Sequence, residues 1–405
     1  MKALGTAGSA GLVWEQRLLE ELARGGDLLC IDVLGQQFVV RWGSAVTRQQ
    51  RVSMSSAWVR CASSHEPLLP TVPVEPLPGT PFTASVTCTS TKHSHCTFQL
   101  AAASFEELAE NLTSRLTVAA ILANAGELTM LHACGVADPA SGAVVALVAK
   151  SGTGKTTAAS VLARTYGYVT DETVAIAWDG SVVPYPKPLS VKQEAGTPKR
   201  QASPDEFGLQ RAPALPYIQS IVLLNRVQGD WPVAPVLERV PLADAVLALI
   251  PDSSSQAEVV DPLQSLCRLI ESVGGVWQVT YSEAADLPAA LEPLFHLQSA
   301  TRTEWELPAA TYVQQPQVPA GGIQRTTPRD AVSIAGDLLI MLDNQIVRLS
   351  GIGPAVWDAC AGSASLDEIT EYVGKLHGKP EGYRYTVAKA VEQLIAKSIL
   401  EPGCI

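Results

Sequence analysis

One nine-residue run constrains this chain more than any other part of it: Ala149-Lys150-Ser151-Gly152-Thr153-Gly154-Lys155-Thr156-Thr157. Ahead of it, the apolar, β-branched stretch Ala143 to Val148 follows the turn signal Asp138-Pro139-Ala140-Ser141-Gly142, which predicts a buried strand. Behind it, Ala158, Ala159, Val161 and Leu162 recur at helical spacing and predict a helix over Thr156 to Tyr166. A glycine turn between a strand and a helix N-terminus presents unpaired backbone N–H groups and the positive end of the helix dipole, which together hold phosphate oxygens. The run fits the phosphate-loop pattern G-x-x-x-x-G-K-[ST] except at its first position, where Ala149 replaces glycine and a small residue suffices. Ser151, Gly152, Thr153, Gly154, Lys155, Thr156 and Thr157 are thus the candidate nucleotide-binding residues. Lys155 would neutralise the outer phosphates and the Thr156 hydroxyl would reach a metal, so ATP and Mg2+ are the expected cofactors.

What surrounds the loop has room for more than one core. The chain has 405 residues, 47% of them hydrophobic and 17% charged, enough for two or three domains. A net charge of -11 argues against nucleic acid or an anionic membrane as partner. Eight scattered cysteines, with no C-x-x-C pair, fit a reducing cytosol, and no stretch approaches the roughly 18 apolar residues of a membrane span. A cytoplasmic protein is expected. Lys92-His93-Ser94-His95-Cys96 offers three close metal-ligand types without a fourth, so no zinc site is expected there.

The pattern along the chain is mixed, an α/β (α+β) class. Leu12, Trp14, Leu18, Leu19 and Leu22 place an amphipathic helix over residues 11–24, stopped by Gly25-Gly26. Strands are expected at Leu28 to Val33 and Gln37 to Trp42, with short strands among loops from Cys61 to Cys96. Ser104 and Glu107 form a capping-box pattern opening a long helix, which leads into one strand over Leu128 to Ala137. A short strand at Tyr168 to Thr170 and a hairpin around Asp179-Gly180 follow the loop helix. Residues Glu194 to Pro213 have the composition and length of a lid-like loop. A strand over Ile218 to Leu224 precedes helices at Pro241 to Ile250 and Pro262 to Val273, the second with Asp261 as its cap. Val313 to Gly322 reads as a linker. Three short strands (Ala331 to Ile334, Leu338 to Leu342, Gln345 to Leu349) and three helices (Pro354 to Ala361, Ser365 to Leu376, Tyr383 to Ile399) then suggest a winged-helix-like module. The expected segments are 1–103, a β-rich region; 104–307, the phosphate-loop domain; 308–322, the linker; and 323–405, the tail module.

A phosphate loop alone specifies a nucleotide, not a reaction. Asp171 stands sixteen positions after Lys155, where the strand following the loop helix ends. Phosphoryl transfer needs charge neutralisation, an in-line acceptor and a base that orients the acceptor hydroxyl. Asp171 is the candidate base and Glu172, with Thr156, a candidate metal contact. His132, on the strand before the loop, is a candidate to bond the carboxylate or the transferring group, although a lone strand histidine is more commonly a packed one. Lys187 and Lys192 are candidate acceptor or phosphate contacts, and Arg226, at a strand end, a candidate to stabilise transition-state charge; surface solvation is the competing reading for each.

Leu131-His132-Ala133, the loop Ser151 to Thr157, and Val169-Thr170-Asp171-Glu172, in that order and spacing, resemble the HPr kinase/phosphorylase superfamily, over roughly residues 105 to 300. The resemblance implies a phosphoenolpyruvate-carboxykinase-like nucleotide fold, with His132 and Asp171 assisting transfer to a serine hydroxyl. Glu172 departs from the family's second aspartate, and the family's C-terminal signature used in phosphorolysis is missing. Tyr185-Pro186-Lys187-Pro188-Leu189-Ser190-Val191-Lys192 looks like a segment of relatives that modify peptides, including lasso-peptide kinases. The tail, with Arg348 to Trp357, the helix Ser365 to Leu376 and Val391 to Leu400, resembles the PqqD-like peptide chaperones. That likeness implies that a leader peptide adds as a strand beside Gln345 to Leu349, with the helix Tyr383 to Ile399 forming the groove. Together the resemblances imply an ATP-dependent kinase for a hydroxyl, serine first, of a ribosomally made peptide or small protein. A kinase for a sugar or amino acid, or a nucleotide-gated peptide-binding protein without transfer, are the alternatives. A homo-oligomer is compatible with the sequence, which leaves the oligomeric state open.

Overall fold

The computed structural model describes residues 28–63, 78–88, 96–150, 153–194, 196–229, 234–297, 304–308, 321–343 and 345–403. The expected helix over residues 11–24, loop residues Ser151 and Gly152, His93 and His95, and residues 309–320 of the linker lie outside them. The fold is mixed α/β with several sheets. Among the described residues no helix is long and apolar enough to cross a membrane.

Contacts divide the chain into two units: Met1–Arg239 with Leu249–Gln256 and Val276–Gln298, and Val240–Ala248 with Ala257–Gly275 and Ser299–Ile405. This differs from the linear partition expected, because residues 240–248 and 257–275 fall with the tail rather than with segment 104–307. Nor does residue 104 mark a boundary between cores, as the N-terminal sheet and the helix after it bury their apolar residues in one cluster.

The first unit opens with a four-stranded antiparallel sheet of β1 (Leu28–Val33), β2 (Gln36–Trp42), β3 (Phe82–Cys88) and β4 (Cys96–Ala102), in that order. Leu34 (φ 50°) and Gly35 (φ 76°) are both left-handed, as a two-residue hairpin turn that follows strand twist requires. Between β2 and β3 lies α1 (Arg48–Ala57), capped by a Thr47–Gln50 box, a helix the sequence reading passed over. The long expected helix is α2 (Phe105–Ala123), whose Leu108, Leu112, Leu116 and Ala120 line one face and are buried against the sheet. Its capping box is half built: the Ser104 hydroxyl accepts from Glu107 N at 3.1 Å, but the Glu107 carboxylate accepts from Ala103 N, not Ser104 N.

The strand expected over Leu128 to Ala137 is two strands in two sheets. β5 (Thr129–Leu131) and β6 (Ala133–Ala137) are separated by His132, whose N–H donates to Asp252 O at 2.6 Å, one step beyond the Leu131–Ser253 pair through which β5 meets the segment 253–254. Further along lie β7 (Ala143–Val148), α3 (Lys155–Leu162), β8 (Gly167–Thr170), β9 (Val174–Ile176), β10 (Val182–Val183), β11 (Leu189–Val191), β12 (Arg200–Ala202), β13 (Gln210–Arg211), β14 (Tyr217–Arg226) and β15 (Val236–Val240). After α4 (Leu242–Leu249) come β16 (Ser253–Ser254), α5 (Pro262–Ser272), β17 (Val276–Tyr281) and α6 (Leu287–Leu291). The larger sheet has the order β13-β8-β6-β7-β14-β17-β15, and β5 belongs to the smaller one, β10-β9-β5-β16. β7, buried along its whole length, sits at the middle of the larger sheet.

Glu194 to Pro213, expected as one long loop, is folded instead. It holds β12, β13 and a 3-10 turn, Pro204–Phe207, capped reciprocally by Ser203 and Glu206. The physical reason is Arg60, whose side chain is only 4% exposed and whose fixed fork of donors must be satisfied. It bonds Asp205 Oδ1 at 2.7 Å and the carbonyls of Leu209 and Gln210, and so ties the segment down.

The second unit contains α4 and α5 with the tail. There β18 (Trp305–Glu306) lies antiparallel beside β20 (Asp330–Ile334), followed in the same sheet by β21 (Asp337–Met341) and β22 (Ile346–Leu349). A two-stranded sheet joins β19 (Ile323–Arg325) to β23 (Leu400–Pro402). The three expected helices are α7 (Gly353–Ala359), α8 (Leu366–His377) and α9 (Tyr383–Ala396), with the Ser365–Glu368 box present in full. Their apolar faces share one core with the sheet, built on Leu338, Ile340, Trp357, Ile369 and Val391. Asp261 does not cap α5, since it is left-handed (φ 48°) and its side chain makes no cap bond. The buried Asp330 does so: Oδ2 accepts from Leu263 N at 2.8 Å and Gln264 N at 3.0 Å, and Oδ1 accepts from Gln264 Nε2 at 2.8 Å. Asp330→Ala should therefore destabilise this unit by about 2 kcal/mol, read as a lower urea midpoint. A midpoint unchanged in Asp330→Ala would show that solvent caps α5 as well as Asp330 does.

Candidate functional site

Strand direction assembles the site. β7, β8 and β14 run the same way and β6 runs against them, so the ends of three strands and the start of the fourth meet on one edge. In register, Val148 of β7 faces Ala133 of β6 on one side and Leu223 of β14 on the other, and Thr170 faces Gly135. That edge therefore carries the loop after β7, Asp171 directly after β8, His132 directly before β6, and Arg226 at the end of β14. Four separate stretches of sequence deliver these groups.

In the loop, Gly154 has φ 100°, a backbone conformation that favours glycine, and a Cβ there would stand 3.9 Å from Arg226 Cδ. The Arg226 side chain thus lies against the turn, held by its Nε–H donating to Ser282 O at 3.0 Å. The Thr153 hydroxyl donates to Lys150 O at 2.6 Å and fixes the bend. α3 starts at Lys155 with no side-chain cap, which leaves first-turn N–H groups available for an anion. Lys155 is buried, and its ammonium donates to Ala149 O. Burial lowers its pKa against the opposing pull of Asp252, Cys134 and Glu172, so this lysine is short of a strong counter-charge. An uncapped helix N-terminus, a glycine at positive φ and an undercompensated lysine fit a bound phosphate. Thr156 and Thr157 are exposed on the first turn. Among the described residues no group of three or more His, Cys, Asp or Glu forms a metal cage, so a Mg2+ here would take the Thr156 hydroxyl, phosphate oxygens and water.

Asp171 is only 7% exposed. Thr170 Oγ1 accepts from Glu172 N and Thr173 N, at 3.2 and 3.3 Å, and turns the chain so that both acids leave the strand end together. Oδ1 of Asp171 accepts from the Tyr168 hydroxyl at 3.0 Å and faces Lys187 Nζ at 3.0 Å. Lys187 Nζ also lies 3.2 Å from Glu172 Oε2. Among the described residues Oδ2 of Asp171 has no hydrogen-bond partner. Lys187 reaches the acids because Tyr185 N donates to Val169 O at 3.0 Å, laying the Pro184 to Pro188 segment along β8. Burial alone would lower the lysine's pKa, but the charges of Asp171 and Glu172 outweigh it and hold the ammonium charged. Burial, reinforced by Asp171, pushes the Tyr168 phenol well up and keeps it a donor.

The expected residues separate into groups. Lys155, Asp171, Glu172, His132 and Arg226 share the edge; Lys187 sits behind the acids, not at the surface; Lys192 is exposed beyond β11, with no bond to the acids. Tyr168, Cys134 and Asp252 belong to the site without having been anticipated. Tyr168 had a local signal, an aromatic residue three positions before the acid on a short strand. Asp252 had none, since it arrives through the pairing of β16 with β5.

No family model matches the chain, and no curated protein does. Among solved structures 24 chains match, including the Hpr(Ser) kinase/phosphatase from Coxiella burnetii, at 13% identity and a TM-score of 0.20. That match covers 41% of this chain and 93% of the other.

Cys134 lies between the charges, and burial with the nearby Asp171 raises its thiol pKa to about 12, although Lys155 opposes the rise. At pH 8 a maleimide should label the exposed Cys96 and spare Cys134 until the protein unfolds, as mass spectrometry of labelled peptides would read. Early labelling of Cys134 would mean that the edge opens far more than its packing implies.

Proposed function

We propose that this protein is an ATP-dependent kinase that phosphorylates a hydroxyl, serine first, of a ribosomally made peptide or small protein in the cytoplasm. One observation carries the reading: a lysine-bearing loop built to hold phosphate stands on the same sheet edge as an anchored carboxylate, one of whose oxygens has no partner among the described residues. When bound, ATP with Mg2+ supplies the phosphoryl group. Lys155 and the α3 N-terminus hold phosphate oxygens, and Arg226, lying against Gly154, adds positive charge where the transferring group develops negative charge. Oδ2 of Asp171 orients the acceptor hydroxyl and accepts its proton. His132, half-buried at the same edge, is placed to bond the acceptor or the phosphoryl oxygens. Glu172, held by Lys187, would contact the metal through water.

The second unit supports the choice of a peptide acceptor. β22 ends its sheet, with no further strand among the described residues. Leu342 N donates to Gln345 O, so alternation makes Ile340 and Val347 the next bonded pair and turns the backbone groups of Ile346 and Arg348 outward. Those outward groups are what an added peptide strand would bond. The opposite edge of the same sheet is already covered by β18.

Transfer of radiolabelled phosphate from ATP to a candidate precursor peptide tests the reading. Lys155→Ala and Asp171→Asn should each lower kcat/KM by about 10²-fold or more. Ile346→Pro removes one outward N–H without touching the bonds to β21, and should raise the peptide KM about tenfold with kcat nearly unchanged. Full activity in Asp171→Asn would sink the site assignment. Transfer to free serine or a sugar, indifferent to Ile346→Pro, would favour the small-molecule kinase, and ATP binding without any product would favour a nucleotide-gated binding protein.

A further inference from the structure

We propose that Lys187 is a positioning residue for Asp171: with the Tyr168 hydroxyl it fixes one carboxylate oxygen, so that only the other is presented to the acceptor. The inference rests on the kinase reading above. Its starting point is donor arithmetic. An ammonium has three N–H donors, and the Lys187 ammonium has three acceptors around it: Asp171 Oδ1 at 3.0 Å, Glu172 Oε2 at 3.2 Å and Pro188 O at 3.3 Å. The residue is 3% exposed. No donor remains for a phosphate or an acceptor peptide, the roles the sequence suggested for it.

The carboxylate shows the complementary asymmetry. Both of its partners, Tyr168 and Lys187, act on Oδ1, and among the described residues Oδ2 has none. A carboxylate held through one oxygen by two directional donors cannot turn about its Cβ–Cγ bond without breaking both. Its free oxygen therefore keeps one direction, which a base acting on a hydroxyl requires. The scaffold behind the lysine is stiff. Pro186 and Pro188 flank it, Tyr185 N is bonded to Val169 O, and the Tyr185 hydroxyl is within 2.7 Å of Thr117 Oγ1 on α2. The same lysine draws Glu172 aside, which keeps the second acid from competing for the acceptor proton.

A kinetic double-mutant cycle on the full chain tests this. Lys187→Met and Tyr168→Phe should each lower kcat, by about 10²-fold and about tenfold respectively, while the Kd for ADP, read with a fluorescent analogue, stays within about twofold. In an Asp171→Asn background, Lys187→Met should cost less than about twofold more, because a residue acting through Asp171 has nothing left to position. Costs that multiply in that background, or an ADP Kd raised tenfold with kcat retained, would overturn the proposal and make Lys187 a direct phosphate contact. If Lys187→Met does not fold, Tyr168→Phe, which removes one oxygen and keeps the ring, decides the matter alone: unchanged kcat overturns it. Wild-type protein that transfers no phosphate to any acceptor fails the kinase reading instead, whereas an active wild type with an active Lys187→Met fails only this one.

Discussion

The reversed strand β6 is the constraint on which the site depends. Had β6 run parallel to β7 and β8, His132 would stand at the far edge of the sheet, a strand's length from the loop. Because it runs against them, its first residues meet the last residues of its neighbours, with Ala133 facing Val148 and Gly135 facing Thr170. The break at His132 is part of the same arrangement. Its N–H makes the last bond toward β16, to Asp252 O, and the next residue, Ala133, already pairs with β7, so the chain leaves one sheet and enters the other within a single residue. The residue at such a crossing is neither packed between strands nor carried into a loop, and His132 there is half-buried.

Charge at this edge is arranged in two layers, and the difference between its lysines follows from their partners. Both are buried. Lys155 has a backbone carbonyl for a partner and only distant acids, so burial prevails and its pKa falls. Lys187 faces two carboxylates within 3.2 Å, so their attraction prevails and its charge is fixed. A lysine held charged by a permanent pair is a structural cation; one short of negative charge is a receptor for it. The loop lysine is thus the one fitted to an incoming phosphate, and the deeper lysine the one fitted to holding acids in place.

How much of this was legible in the sequence depended on whether the interaction was local. The strand Ala143–Val148, the loop, the helix after it and the acid at the end of β8 are set within about thirty residues, and hydrophobic pattern with glycine chemistry marks each of them. The Ser365–Glu368 box was equally readable, since both of its bonds lie within three residues. What escaped was long-range. The segment 194–213 has a loop's composition, yet Arg60, about 145 residues earlier, folds it, and no window around it carries that signal. Asp261 looked like a cap by position, but the cap is Asp330, 66 residues beyond Gln264, whose N–H it accepts. Lys187 read as a candidate phosphate or acceptor contact, with surface solvation as the competing reading, and only the bond from Tyr185 N to Val169 O places it in the interior behind the acids.

These failures share a cause that bears on function. A polar side chain buried by long-range contacts is costly unless each donor and acceptor is matched, so such residues come in sets whose members are far apart in sequence. Arg60 with Asp205, Asp330 with the start of α5, and Lys187 with Asp171, Glu172 and Tyr168 are three such sets. The first two hold backbone: a strand-bearing segment and a helix end. The third holds a carboxylate that, among the described residues, bonds no backbone N–H group and has one oxygen without a partner. An oxygen unmatched among the described residues, on the edge that carries the phosphate loop, is what separates this cluster from the other two and leaves it room to take a partner from outside the chain.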